Sequence, residues 1–242
     1  MDVQTDTEWA RREESFSCSG PIELEVALDA GALEVKALDT ERVRVELSVD
    51  SSGSPRWHRG ARTLLARLGD ERVAELAERA LSQTEIEWSD SGRLRVRAPR
   101  TRLLRAVPLV VAVEVPQGSR LVCRSASASV RASGALGQLD AAVGWGDVAA
   151  ERVDGNVEVK AGSGHVRLGR VAGRFRARSG SGDIEVASVE GKIEVASGRG
   201  ALWLGVVRAD ARARTGSGEI AVAEARAGRL DLVTAGPASR PV

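Results

Sequence analysis

The apolar positions between Gly118 and Ala225 repeat every eighteen residues. Cuts at Gly118, Leu136, Asp154, Ala172, Glu190 and Arg208 give six blocks that align without gaps. One column reads Leu121, Leu139, Val157, Phe175, Ile193, Ala211, and two residues on comes Cys123, Ala141, Val159, Ala177, Val195, Ala213. A second pair follows: Val130, Val148, Val166, Ile184, Leu202, Ile220, then Ala132, Ala150, Leu168, Val186, Leu204, Val222. Ala135, Val153, Val171, Val189, Val207 and Ala225 close the blocks. Apolar residues two apart mark a strand with one face inward, so each block predicts two short strands. A fixed short period predicts stacked coils, with equivalent positions about 4.8 Å apart. Between the strands stands a glycine sandwich such as Gly162-Ser163-Gly164 or Gly180-Ser181-Gly182, the expected tight edge of each coil.

The predicted fold is all-β, a two-sided parallel β-solenoid with 18-residue coils, irregular N-terminal coils and an inserted α-helical hairpin. Residues 1–15 form a polar N-terminal segment. Residues 16–56 alternate through Ile22, Leu24, Val26, Leu28, Leu33 and Val35 and read as the first solenoid strands, in chain order. Residues 57–83 switch to spacings of three and four, with Leu64, Leu68 and Leu76 on the apolar side, and predict the helical insert. Residues 84–117 return to strands, 118–225 form the regular six-coil solenoid, and 226–242 read as a C-terminal cap. In that last segment Leu230 and Leu232 sit one residue late, and Gly236-Pro237 and Pro241 break the ladder.

Each coil contributes about five inward side chains, many of them Ala. At roughly 1.5–3 kcal/mol for a fully buried large side chain, one coil alone does not offset its ordering entropy. Neighbouring coils must stabilise one another.

Composition adds little push toward a particular partner. The chain of 242 residues has 35 basic and 34 acidic residues, a net charge of +1. No whole-molecule field draws it to nucleic acid or membrane. No run approaches eighteen apolar residues and the N-terminus lacks a signal-peptide pattern, so no membrane span and a cytoplasmic location are expected. Cys18 and Cys123 have no metal or redox spacing.

The Gly-Ser-Gly-Asp/Glu-Ile-x-Val units at Gly180–Val186 and Gly216–Val222, with the opening Gly-Pro-Ile-Glu-Leu-Glu-Val and Gly-Ala-Leu-Glu-Val, carry a resemblance. The chain resembles the bacterial putative-adhesin family of β-strand-repeat proteins of unknown function over roughly residues 16–235, the helical insert excepted. That resemblance implies a parallel β-helix without catalytic residues.

Candidate chemistry is sparse. The residues after the glycine sandwiches are Asp147, His165, Asp183, Ala201 and Glu219, and the other half-coil has no matching acid, so calcium is not expected. His58 and His165 are the only histidines, and no Ser–His–acid or metal cluster can be assembled. The chain is expected to be no enzyme, with no catalytic, cofactor or metal site. Its interface candidates are Trp203, Trp145 and the helical Leu64, Leu68 and Leu76, because exposed aromatics favour interfaces. One outer face is basic through Arg174, Arg176, Arg178, Arg212 and Arg214. Without an aromatic stripe that face does not point to nucleic acid. The leading expectation is a scaffold that self-associates, with a bactofilin-like filament as one form, or docks a protein partner. The alternative is a binding module for an anionic glycan or envelope polymer.

Overall fold

In a computed structural model the chain is all-β, and most of its strand pairs are parallel. The structure describes residues 11–49, 70–101 and 103–235. Leu64 and Leu68, the first half of the expected hairpin, and the prolines at 237 and 241 lie outside the described residues.

The periodic region forms two ladders. Strands β8 (Gln138–Trp145), β10 (Val157–Ser163), β12 (Phe175–Ser181), β14 (Ile193–Arg199) and β16 (Ala211–Ser217) pair in parallel in that order. Strands β9 (Val148–Val153), β11 (Val166–Val171), β13 (Ile184–Val189), β15 (Leu202–Val207) and β17 (Ile220–Ala225) form the second ladder. Partners are eighteen residues apart, as in Val166↔Ile184↔Leu202. Each side chain therefore stacks on its own equivalents, and all three of these are fully buried. The final strand β18 (Leu230–Thr234) joins β16 with Ala211 opposite Leu230, the late register that the sequence shows.

Before the repeats, spatial order departs from chain order. Strand β2 (Glu23–Leu38) pairs along its whole length with β7 (Arg120–Leu136). On its other side lie β5 (Arg93–Arg97) and β6 (Leu109–Pro116), which follow it by more than fifty residues. The opening strands are therefore not the outermost coil; the later segment is. Antiparallel pairing closes this end: β4 (Glu85–Ser89) on β5, β3 (Arg42–Val49) on β6, and β1 (Arg12–Ser17) on β3. The rings of Phe16 and Trp88 stack at 5.4 Å, joining β1 to β4. Helix α1 (Asp70–Ser82) packs against β3 and the 3-10 turn Leu104–Ala106, with Ala77, Ala80 and Leu81 buried. Arg12 donates to the carbonyls of Leu81 and Thr84, fixing the helix end to β1.

Another expectation needs correcting by one residue. Leu136, not Ala135, faces the core and pairs with Val153, because the register of β7 shifts between Ala132 and Ala135. The bulge is at Gly134, whose φ of +76° an L side chain rarely adopts.

The glycine sandwiches have two separate causes. Gly182 has φ +129°, and a Cβ there would meet the Gly164 carbonyl oxygen at 2.1 Å. Gly180 has an ordinary φ but a Cβ would lie 2.6 Å from the Gly162 oxygen. Gly182→Ala therefore combines a strained backbone with a clash against backbone that cannot step aside. It is expected to cost on the order of 2–4 kcal/mol by chemical denaturation. Gly180→Ala should cost less; the reverse ranking would show that conformation is not the second glycine's reason.

Candidate functional site

Two features of the repeat surface that invite a chemical reading are spent on the fold. The acids after the glycine sandwiches accept backbone hydrogen bonds from the next coil. Asp147 Oδ1 accepts from the His165 N–H at 3.0 Å, and Asp183 Oδ1 accepts from the Ala201 N–H at 2.8 Å. Among the described residues no three His, Cys, Asp or Glu side chains gather as metal ligands. An inward column of small polar residues, absent from the sequence reading, does similar work. Ser197, Thr215 and Thr234 donate to the carbonyls of Gly182, Gly200 and Gly218. Its signal was present: Ser125, Ser179, Ser197 and Thr215 lie two residues past the second apolar column.

The basic face resolves into columns of different character. Along one of them arginines pair with acids on adjacent strands, although Asp140 and Glu158 stand side by side. Arg95 pairs with Glu25 at 2.7 Å, Arg176 with Glu194 at 2.6 Å, and Arg212 with Asp231 at 2.8 Å. Hydrogen bonds from Lys192 and Arg176 pull the Glu194 carboxyl down to about 2. Arg95 likewise holds Glu25 below the usual carboxylate range, so this column keeps its charges in mildly acidic solution. Such exposed pairs contribute little stability each. The next column, two residues on, holds Arg178 and Arg214. Among the described residues neither has an acidic partner, and they flank the small Ala196. Arg174 stands just before β12, and its N–H donates to Asn156 Oδ1. The sequence reading pooled paired and unpaired cations in one basic face.

Trp203 is 52% exposed on the outer side of β15, opposite Glu185, and Trp145 is 59% exposed at the end of β8. Leu76 is half-buried and packs against the core, so its apolar surface is already used within the fold. A corner groove of about 620 Å³, which sequence reasoning missed, lies where β5, β2 and β7 meet. Arg97, Arg100, Arg105 and Arg124 line it, with Ala27 and Ala142 on its floor. Arg105 is held by Asp29 through two contacts of 2.5 and 2.6 Å.

The two ends of the stack differ. Among the described residues the outermost strands at both ends, β1 and β4 at one and β17 and β18 at the other, have a partner on one side only, and the difference is in what the ends expose. Leu230 and Leu232 are 37% and 41% exposed there, whereas their column equivalents Ala211 and Ala213 are buried, and Val233, 44% exposed, follows Arg214 on the outer face.

No family model matches the chain, and no curated protein matches it. Among solved structures it is similar to a putative adhesin from Bacteroides fragilis, at 8% identity over 93% of this chain and 97% of that one, with TM-score 0.43. A putative cell adhesion protein from Clostridium sporogenes matches at 12% identity over 93% and 100%, with TM-score 0.38. A putative lipid binding protein from Parabacteroides distasonis matches at 12% identity over 92% and 96%, with TM-score 0.32. No function is carried over from their names. Among the described residues no helix is long and apolar enough to cross a membrane.

Proposed function

We propose that the chain is a non-enzymatic interaction protein, a two-sided β-solenoid scaffold that pairs with a second copy of itself through its C-terminal coil. The observation that carries this reading is the contrast between the ends. One is plugged by the Phe16–Trp88 stack and short, charged strands. The other leaves Leu230, Leu232 and Val233 exposed beside the edges of β17 and β18, which have no further partner among the described residues. Free edges are templates for further strand pairing. A two-fold axis across the open ends sets like edges against each other antiparallel, an isologous contact that closes at two copies. A filament would need both ends open. The exposed Trp203 supports a second contact, with a different protein, on the side of the stack.

Sedimentation over a concentration series tests the pairing. Wild type is expected to shift from monomer to dimer, and Leu230→Lys with Leu232→Lys to stay monomeric with its melting unchanged. A wild type that stays monomeric throughout, or a double variant that still pairs, would overturn the reading.

A further inference from the structure

One column on the outer face of the first ladder holds no acid from β5 to β16, with Glu85 of β4 opposite its first cation, Arg97. From the plugged end it runs Arg97, Ala27, Arg124, Ala142 on β5, β2, β7 and β8. It continues Lys160, Arg178, Ala196, Arg214 on β10, β12, β14 and β16. Cation and alanine alternate, with a single doublet at Lys160 and Arg178. The order exists only in space, because Arg97 precedes Ala27 in the stack but follows it in the chain.

We propose that this column is a binding track for a linear anionic glycan that carries one carboxylate or sulfate per disaccharide. Successive strands are about 4.8 Å apart, so cations separated by one alanine stand about 9.6 Å apart, a spacing of the order of a disaccharide. Each alanine leaves a gap between two cationic side chains where a neutral sugar can lie. Grooves of about 620 Å³ around Ala27 and Ala142, and about 310 Å³ around Ala196, occupy such gaps. From Arg97 to Arg214 the track is roughly 34 Å long, seven strand spacings. Arg124 and Lys160 already contact Asp140 and Glu158, at 2.9 and 2.8 Å. Arg97 has Glu85 opposite it on β4, whereas among the described residues Arg178 and Arg214 have no acidic partner and flank Ala196, so the polymer's anions meet uncompensated charge at the C-terminal end of the track.

The geometry also selects against other polyanions. A densely charged chain would set anions over the alanines, where nothing answers them. Single-stranded nucleic acid binds by stacking on aromatic side chains, and this column has none. A planar anionic membrane would also meet the neighbouring column, where five acids, Glu25, Asp140, Glu158, Glu194 and Asp231, outnumber the three arginines Arg95, Arg176 and Arg212 that pair with them. A single-file polymer avoids most of those acids.

The track is on the side of the stack, so its test is separate from pairing at the open end. Binding of the full chain to hyaluronan oligosaccharides, with one carboxylate per disaccharide, is measured at low and at physiological salt. Wild type is expected to bind, and Arg178→Ala with Arg214→Ala to weaken binding about tenfold and flatten its salt dependence. Ala196→Glu, which puts an acid into the track, should abolish it. Ala149→Glu, on the outer side of β9 in the other ladder, should leave it unchanged. Melting curves check that every variant folds. Wild type that ignores hyaluronan overturns the proposal. So does equal loss in Ala196→Glu and Ala149→Glu, or tighter, Ala196→Glu-insensitive binding to polyphosphate or single-stranded DNA.

Discussion

Val186→Asp is expected to abolish the cooperative melting of the repeat region. Val186 is 1% exposed and stacks between Leu168 and Leu204, with apolar neighbours in register above and below. A carboxylate there has no cation within the interior column to pair with. It must be buried charged, buried protonated, or expelled with its strand. Burying an unpaired polar or charged group costs several kcal/mol, against a whole-domain stability of about 5–15 kcal/mol. The lost wall is shared: each coil rests on its neighbours, so a broken coil leaves the two beside it with exposed edges. Calorimetry should show a transition that is lost or split, and hydrogen exchange should show protection falling in β11, β13 and β15 together. Glu185→Ala, one residue away but on the outer face, should stay within about 0.5 kcal/mol of wild type. Equal melting of Val186→Asp and wild type would remove the stacked-column interior from which every placement here follows.

What the sequence made visible follows from the distance over which each signal acts. The columns at Leu121, Cys123, Val130 and Ala132 were legible because each inward side chain meets its own equivalent, so packing imposes one residue type on a whole column. The slip from Ala135 to Leu136 was not, since a bulge shifts one strand by one residue and both residues are apolar. The order of the first coils was hidden for a different reason. Strands β2, β5 and β6 share the same alternation, and periodicity gives a strand's face but not its neighbours. Only tertiary pairing tells that Glu23–Ala27 lies between Arg93–Arg97 and Arg120–Arg124. The binding track inherits that limit: its C-terminal half could be read from the repeats, and its first half could not. The last block was legible as irregular and reads as a cap on account of Pro237 and Pro241, which lie outside the described residues. Exposure of Leu230 and Leu232 shows that the described part of that block leaves the interior uncovered.

Raising the pH above about 9 is expected to destabilise the protein through one thiol. Cys123 is fully buried in register between Val26 and Ala141, and that burial pushes its thiol from the ordinary 9.0 up to about 12. A folded-state value above the unfolded one means that the unfolded chain releases its proton first. The stabilising contribution is therefore complete below pH 9 and is lost as the pH climbs toward 12. Three units correspond to about 4 kcal/mol at the upper end, at roughly 1.36 kcal/mol per unit. Composition keeps this signal clean, because the chain has no tyrosine and its only lysines are Lys36, Lys160 and Lys192. Cys123→Ala fits the column, where Ala141 and Ala177 already stand. It should cost about 1–2 kcal/mol at neutral pH through lost packing, and it should flatten the alkaline decline of the urea midpoint. The same burial should shield Cys123 from alkylating reagents until the coils open, so its labelling rate should track unfolding. An alkaline decline of equal steepness in wild type and Cys123→Ala would move the titrating group elsewhere. Rapid labelling of Cys123 in the folded protein would show that the interior between β2 and β8 is wet.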